Sequence, residues 1–218
     1  GIRHFCLARG LGDVYKRQLQ DVLDRQRNTI EHWARRGIVG RGVLLDLERT
    51  ARSAGRPFDP GSSHGFTVED LEAARAAAGV ELRPGDVLIL KTGFLHWYST
   101  LGRSERESIS SREGLRACGV EHTEDMARYL WNTHAAAVAS DCPSVEVWPM
   151  DHSPGLFPFG SLHKVLLGQF GMAIGELWWL EELADDCASD GMHEFLLTSA
   201  PLNTRGGYGS TANALAIK

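Results

Sequence analysis

The chain has 218 residues, 43% of them hydrophobic, which is enough to bury the core of one domain of ordinary size. Its net charge of −5 at pH 7 argues against nucleic acid as the main partner, because phosphate binding needs clustered lysine and arginine. No apolar run approaches the length of a membrane span, so we expect no membrane partner.

The four cysteines are far apart in the sequence and form no CxxC pair; they are Cys6, Cys118, Cys142 and Cys187. Their spacing predicts neither a zinc knuckle nor a disulfide framework. Cysteines used in this way favour a reducing, cytoplasmic setting.

The beginning of the chain differs in character from the rest. Residues 1–18 show no clean helical or strand period, and residues 11–18, LGDVYKRQ, resemble translated sequencing adaptor. We therefore expect residues 1–27 to be a non-native segment, with a genuine but disordered terminus as the alternative. Residues 28–218 are expected to form one domain.

Helices and strands alternate from residue 28 onward. The first elements are a helix over residues 29–36 that ends at Gly37, a buried strand over residues 38–47 and a loop over residues 51–65. Thr67 and Asp70 resemble a capping box that starts the alanine-rich helix Val68–Ala78. A turn and a second buried strand, over residues 87–92, come next.

The second half of the chain continues this alternation. Its predicted elements are a polar surface segment over residues 96–111, a helix over residues 123–131, strands over residues 135–140 and 144–147, a helix over residues 176–187, and strands over residues 194–198 and 212–217. The pattern is typical of an α/β protein with a mixed sheet and flanking helices.

The best candidate metal ligands are His163 and Glu176, in the stretch SLHKVLLGQFGMAIGELWWLE. His163 opens an apolar segment, and Glu176 follows a Gly-Met-Ala-Ile-Gly run typical of a short buried strand or turn. Imidazole nitrogen and carboxylate oxygen are ligands that divalent cations accept. In the competing interpretation, His163 caps a helix and Glu176 begins one.

Asp141 and Glu146 bracket a predicted turn at a strand end, where α/β proteins place their sites. They are expected either to support a metal ligand from the second shell or to serve only as turn and cap residues. Cys142 in the same turn has no firm histidine partner, so we interpret it as a buried structural thiol. The glycine-rich residues 205–212 are followed by too few residues for a dinucleotide-binding unit and are interpreted as a close-packed turn.

Several stretches stand in an order that matches a known family: GIVGRGVLLD at 37–46, LRPGDVLILKTG at 82–93, VASDCPSVEVWP at 138–149, residues 162–180 and the closing PLNTRGGYGSTANALAIK. Together they resemble the cyclase family, whose best-known member is bacterial kynurenine formamidase. The similarity is greatest to its longer bacterial branch.

This resemblance implies an α/β fold of the swivelling β/β/α type and a metal-dependent hydrolase, usually dimeric or tetrameric, that holds zinc or manganese. The family pattern of a histidine, a Leu-Leu pair and then a glutamate before a leucine-rich helix maps onto His163, Leu166-Leu167 and Glu176. These two residues are thereby implied to be metal ligands.

One family motif is missing from its expected place. HxGTHxDxPxH, or its Gln-Trp-Asp variant, should precede the GIVGRG strand, but the histidines there are His4 and His32, with neither motif around them. No catalytic residue is therefore assigned. The departure favours a chain that lacks the N-terminal part of the domain.

Two functional hypotheses follow. The first is a metal-dependent hydrolase of a linear or cyclic amide, similar to the arylformamidase of tryptophan catabolism, acting on a small-molecule substrate as a homo-oligomer. The second is a non-catalytic small-molecule binding or assembly module of the same fold. Five tryptophans could then line its interface or pocket: Trp97, Trp131, Trp148, Trp178 and Trp179.

Overall fold

The computed structural model describes residues 29–218. Its α-helices are α1 Ile30–Arg36, α2 Leu47–Ser53, α3 Val68–Ala78, α4 Phe94–Thr100, α5 Arg103–Ser108, α6 Glu124–Asn132, α7 Leu162–Val165 and α8 Glu181–Asp190. Its strands are β1 Ile38–Asp46, β2 Gly65–Phe66, β3 Val87–Lys91, β4 Gly119–Val120, β5 Ala137–Ser140, β6 Ala173–Gly175, β7 Glu194–Ser199 and β8 Ala214–Ile217. A 3₁₀ turn, Pro154–Leu156, and a π-helical turn, Leu166–Phe170, lie before and after α7.

Six of the strands form one sheet in the order β6-β5-β3-β1-β7-β8. The pairs β1–β3, β3–β5 and β5–β6 are parallel, so the carboxyl ends of these four strands meet at one edge. The short strands β2 and β4 form a separate parallel pair. The predicted α/β class, with a mixed sheet and flanking helices, is confirmed.

The central strands are buried on both faces, as expected for parallel strands covered by helices. All five residues of β3 are buried. Alternate side chains of β1, β3 and β5 join Leu71 of α3 and Met126 of α6 in one hydrophobic cluster; these strand residues are Val43, Leu45, Leu88, Leu90 and Val138. The run of aliphatic residues in each strand thus supplies apolar surface to two layers at once.

Most of the predicted elements are confirmed, with shifts of one or two residues at their ends. Thr67 and Asp70 form the predicted capping box, in which each side chain accepts the other residue's backbone N–H. Helix α3 then ends at Gly79, which takes a left-handed conformation with φ +64°. Strands β7 and β8 match the two strands predicted near the end of the chain.

Two of the predictions on strands and loops were wrong. Residues 144–147 form no strand; Glu146 makes only an isolated bridge to Val120. The polar segment 96–111 lies largely at the surface, as predicted, and contains most of α4 and all of α5. The loop expected from residue 51 begins later, since α2 continues to Ser53.

The chain divides into two compact units. One contains the described residues up to Val39 together with Leu197–Leu215, and the other contains Gly40–Leu196 and Ala216–Lys218. Within the first unit, the amide of Gly206 donates to the carboxylate of Glu31 at 2.9 Å, so the glycine-rich segment packs as a turn. The candidate site lies wholly in the second unit.

The predictions for residues 1–27, including Cys6 and His4, lie outside the described residues. Every helix between residues 29 and 218 is too short or too polar to cross a lipid bilayer.

Candidate functional site

Three segments of the chain bring Glu146, His163 and Glu176 together at the carboxyl end of β5. Glu146 lies in the segment that follows β5 and is fixed there by its bridge to Val120. His163 is the second residue of α7, and Glu176 directly follows β6. The parallel pairing of β5 with β6 places the segments that follow both strands at the same edge of the sheet.

His163 is held on one side by Glu146. Its Nδ1 lies 2.9 Å from Oε1 and 2.8 Å from Oε2 of that glutamate, and its backbone N–H donates to Oε1 at 3.3 Å. The side chain of Glu146 is fully buried, whereas 28% of the His163 side chain is exposed. A buried carboxylate thus fixes the orientation of a partly exposed imidazole.

The other ring nitrogen of His163 faces Glu176. Nε2 lies 3.1 Å from Glu176 Oε1, and this buried oxygen receives no donor with the angles of a hydrogen bond. The interpretation that Glu176 begins a helix was wrong, because α8 begins five residues later, at Glu181. His163 does not cap a helix either, since Ser161 occupies the N-cap position of α7.

The two carboxylates govern the charge of the imidazole. Burial alone would favour the neutral form, but the hydrogen bond to Glu146 and the charge of Glu176 raise the pKa of His163 to about 10. Burial likewise works against ionisation of Glu146, yet the contact with His163 leaves the pKa of this carboxyl below its usual value. Without a metal, the arrangement is an imidazolium between two carboxylates.

None of the hydrogen bonds that Asp141 makes with the described residues involves His163. Its fully buried carboxylate accepts the backbone N–H and the hydroxyl of Thr92 and the N–H of Gly93, each at 2.7 Å. Burial raises the pKa of Asp141, although these hydrogen bonds act in the opposite direction. Its role as a second-shell residue stays a prediction, and its contacts link β5 to the end of β3.

Cys142 is the buried thiol that the sequence indicated. Its Sγ lies 3.2 Å from the hydroxyls of Thr92 and Ser140 and contacts the thiol of Cys118. Both thiols are free and fully buried, and burial raises the pKa of Cys142 well above its ordinary value. A thiol in this state is a poor nucleophile.

The donor set suits a divalent cation but is not complete within the described residues. His163 Nε2 and the Glu176 carboxylate converge, and the buried Glu176 Oε1 makes no hydrogen bond of good geometry with the described residues besides this ionic contact. Glu146 supports the imidazole from behind, as carboxylates commonly do for metal-bound histidines. Between residues 29 and 218, no three His, Cys, Asp or Glu side chains are grouped to hold a metal ion.

The tryptophans do not share one location. Trp131 and Trp179 are each 51% exposed, whereas Trp97 and Trp148 pack against the hydrophobic cluster. Trp131 stacks at a tilt on Phe170, with 4.6 Å between ring centroids. Their proposed part in an interface or pocket stays a prediction.

Comparison with known proteins places the chain in a family. The Cyclase family model, described as "Putative cyclase", matches residues 14–147. The crystal structure of a novel cyclase is 34% identical over 83% of this chain, with a TM-score of 0.67. The chain belongs to the cyclase family. Among curated proteins, the sequence has no significant match.

Other similar structures have the cyclase-family fold at lower identity. Isatin hydrolase A from Labrenzia aggregata is 17% identical, with 82% of this chain covered and a TM-score of 0.59. Isatin hydrolase A from Ralstonia solanacearum is also 17% identical, with 90% covered and a TM-score of 0.63. The chain spans 54% of the novel cyclase, 60% of the first isatin hydrolase and 68% of the second.

Sequence reasoning missed the residues that hold Asp141. Thr92 and Gly93 were assigned only to a strand end, although all three hydrogen bonds of Asp141 come from them. A polar Thr-Gly pair directly after the buried strand β3 was the available signal, because strand ends at this edge of a parallel sheet face one another.

Proposed function

We propose that this protein is a metal-dependent hydrolase of a linear or cyclic amide, with His163 and Glu176 as two of its metal ligands. The observation that carries the proposal is the convergence of His163 Nε2 and Glu176 Oε1 at 3.1 Å, with Glu146 behind the imidazole. Membership of the cyclase family supports it. So does the fold shared with two isatin hydrolases, since isatin is a cyclic amide.

The nature of the donors limits the choice of metal. One imidazole nitrogen and carboxylate oxygens are suited to zinc or manganese. Two protein ligands fall short of the three that catalytic zinc sites commonly use. We therefore propose that at least one further ligand comes from outside the described residues.

We call His163, Glu146 and Glu176 the trio, and each of them has a distinct role in this proposal. Glu146 accepts the Nδ1 proton of His163, which leaves Nε2 as the donor atom directed at the metal. Glu176 contributes an anionic oxygen that receives no hydrogen bond of good geometry from the described residues. A divalent ion held there would polarise the amide carbonyl and acidify a water molecule.

Metal binding competes with a proton at this site. Because the pKa of His163 is about 10 in the metal-free arrangement, Nε2 carries a proton at neutral pH that a cation must displace. Loss of this proton removes the positive charge that faces Glu176, and the carboxylate can then bind the metal ion instead. Affinity should accordingly rise with pH across the neutral range.

The test is a titration of the metal-free chain with Zn²⁺ and Mn²⁺ by calorimetry. We expect about one ion per chain, with binding at least about tenfold weaker in His163→Gln and in Glu176→Gln. The exposed His152 supplies the matched control, because His152→Gln removes an imidazole without touching the trio. Equal affinity in all four proteins, or no binding by the wild type, would exclude the metal site.

Substrate class is tested separately, with isatin and formanilide as probes of cyclic and linear amides. Hydrolysis that depends on added metal supports the enzyme. Metal-dependent binding of a probe without turnover would instead favour the alternative, a non-catalytic binding module of the same fold.

A further inference from the structure

Residues 140–142, at the carboxyl end of β5, form what we call the β5 turn. This turn connects Asp141 to the backbone that carries Glu176. The Asp141 side chain is fully buried and binds Thr92 and Gly93 at the end of β3 through three hydrogen bonds of 2.7 Å. Oδ1 accepts two of them and Oδ2 accepts the third. Both carboxylate oxygens are therefore engaged, and the turn is fixed to the neighbouring strand.

The backbone carbonyl groups of the same turn bind the segment that carries Glu176. The residues on either side of Asp141 accept from the two residues that follow Glu176: Leu177 N–H donates to Cys142 O at 3.0 Å, and Trp178 N–H donates to Ser140 O at 3.1 Å. On the other side of Glu176, Gly175 of β6 pairs with Ala139 of β5. The backbone of Glu176 is thus held by β5 both before and after this residue.

The backbone conformation of Leu177 indicates that these hydrogen bonds to the turn are needed. Its φ is +56°, in the left-handed region, which is an unfavourable conformation for a non-glycine residue. Its side chain is 52% exposed, so burial of the side chain does not compensate for that cost. The amide of Leu177 donates to Cys142 O, so the position of the turn bears directly on this conformation.

We propose that Asp141 is a positioning residue for Glu176: its carboxylate fixes the β5 turn, whose carbonyls set the backbone of residues 176–178 and so the approach of Glu176 to His163. The consequence for metal binding rests on the proposed function. The positional effect itself does not, because it concerns hydrogen bonds within the metal-free chain.

The decisive variant is Asp141→Asn, which keeps the shape of the side chain but sets an NH₂ group against one of its donors. Thr92→Val is the milder variant, since it removes only the hydroxyl donor and keeps the backbone N–H. Val80→Ala is the control, because it removes buried apolar volume from the core at a position outside the turn. All three are made in the full chain.

Two measurements separate positioning from a general loss of stability. The first is hydrogen exchange at the amides of Leu177 and Trp178, relative to the amides of β3. The second is the dissociation constant for Zn²⁺ and for Mn²⁺. A purely structural role would accelerate exchange at all slow amides together, as the control variant should, and would leave the dissociation constants within about twofold.

We expect Asp141→Asn to accelerate exchange at Leu177 and Trp178 at least about tenfold beyond the change in β3, and to weaken metal binding about tenfold or more. Thr92→Val should change the exchange rates and the dissociation constants in the same direction, but by less. Unchanged relative exchange in both variants would overturn the proposal. If the wild type binds no metal, the proposed function fails, and the exchange data alone decide the role of Asp141.

Discussion

Both carboxylate oxygens of Glu146 lie within 2.9 Å of Nδ1 of His163, and the glutamate is completely buried. A buried carboxylate needs a charged or hydrogen-bonding partner, because its desolvation is otherwise costly. The imidazolium supplies that partner in the metal-free chain. Ligand geometry and local stability therefore depend on the same contact.

The pH dependence of stability should report this pair. The pKa of His163 is raised from 6.5 to about 10, so its contribution is fully present below pH 6.5 and is lost as pH rises through 10. In chelator-treated protein, we expect the free energy of unfolding to fall by about 1 kcal/mol per pH unit over part of that interval. Urea unfolding at stepped pH values measures it.

The matching control for that slope is His163→Gln, which removes the titrating group and should flatten the curve between pH 7 and 10. The contribution of Glu146 to stability changes at acidic pH instead. Its pKa is lowered from 4.5, so its contribution is present above that value and is lost as pH falls further. A wild-type curve with no slope above pH 7 would contradict the ion pair.

Arg41 should be important for stability because it joins three segments. Its guanidinium binds both oxygens of Asp86, at 2.9 and 2.7 Å, as well as Glu194 and the carbonyl of Glu81. Arg41→Met removes the guanidinium partner of the nearly buried Asp86, and we expect a loss of about 3 kcal/mol in the free energy of unfolding.

The comparison for Arg41 is Arg103, whose side chain is 92% exposed and pairs with the exposed Glu107. Arg103→Met should cost no more than about 0.5 kcal/mol, since water already solvates both charges. Denaturant titration of the two variants measures the difference. Equal losses would show that the Arg41 network contributes no more than a surface pair.

Gly93 combines a left-handed backbone with a close neighbour. Its φ is +84°, and a Cβ there would lie 2.6 Å from Oε2 of Glu48, which pairs with the buried Lys91. Gly79 has a similar φ of +64° in open space. Gly79→Ala should cost about 1 kcal/mol for the backbone alone, and Gly93→Ala should cost more because Glu48 must move away from Lys91.

The two contributions at Gly93 can be separated with a second substitution. In a Glu48→Ala background, Gly93→Ala should cost no more than Gly79→Ala, as measured by thermal and urea unfolding. A cost that stays high without Glu48 would assign the effect to the backbone of Gly93 alone.

Thr67 should contribute the stability of a complete helix cap. Its Oγ1 accepts from the amide of Asp70 at 3.2 Å, and Asp70 accepts from the amide of Thr67 at 3.1 Å. Thr67→Ala is expected to lower the free energy of unfolding by about 1 kcal/mol, whereas Thr67→Ser keeps the hydroxyl and should change it little. Parallel urea titrations measure both, and equal losses would argue against a role for the hydroxyl.

Local features explain why much of the fold was predictable from the residues alone. Strand β3 is a run of aliphatic residues and is buried throughout, and the start of α3 has its own capping residues. These signals act over neighbouring positions, so they do not depend on distant parts of the chain. The same holds for Gly79, which ends α3 because glycine tolerates positive φ.

Prediction failed where contacts distant in sequence decide the structure. Residues 144–147 have strand-like composition, yet Glu146 is drawn into a single bridge and a contact with His163. The apolar residues after Glu176 suggested a helix from that position, but their amides bond to the β5 turn, and α8 starts at Glu181.

The sequence by itself determined the residue types of the site and the α/β alternation, because both follow from local composition and order. It also named His163, Glu176, Asp141 and Glu146 as candidates. Only the tertiary structure decided which of them meet: Glu146 lies behind the imidazole, Glu176 faces it, and Asp141 bonds instead to Thr92 at the end of β3. That outcome depends on the parallel register of β3, β5 and β6, which brings three loops to one edge of the sheet.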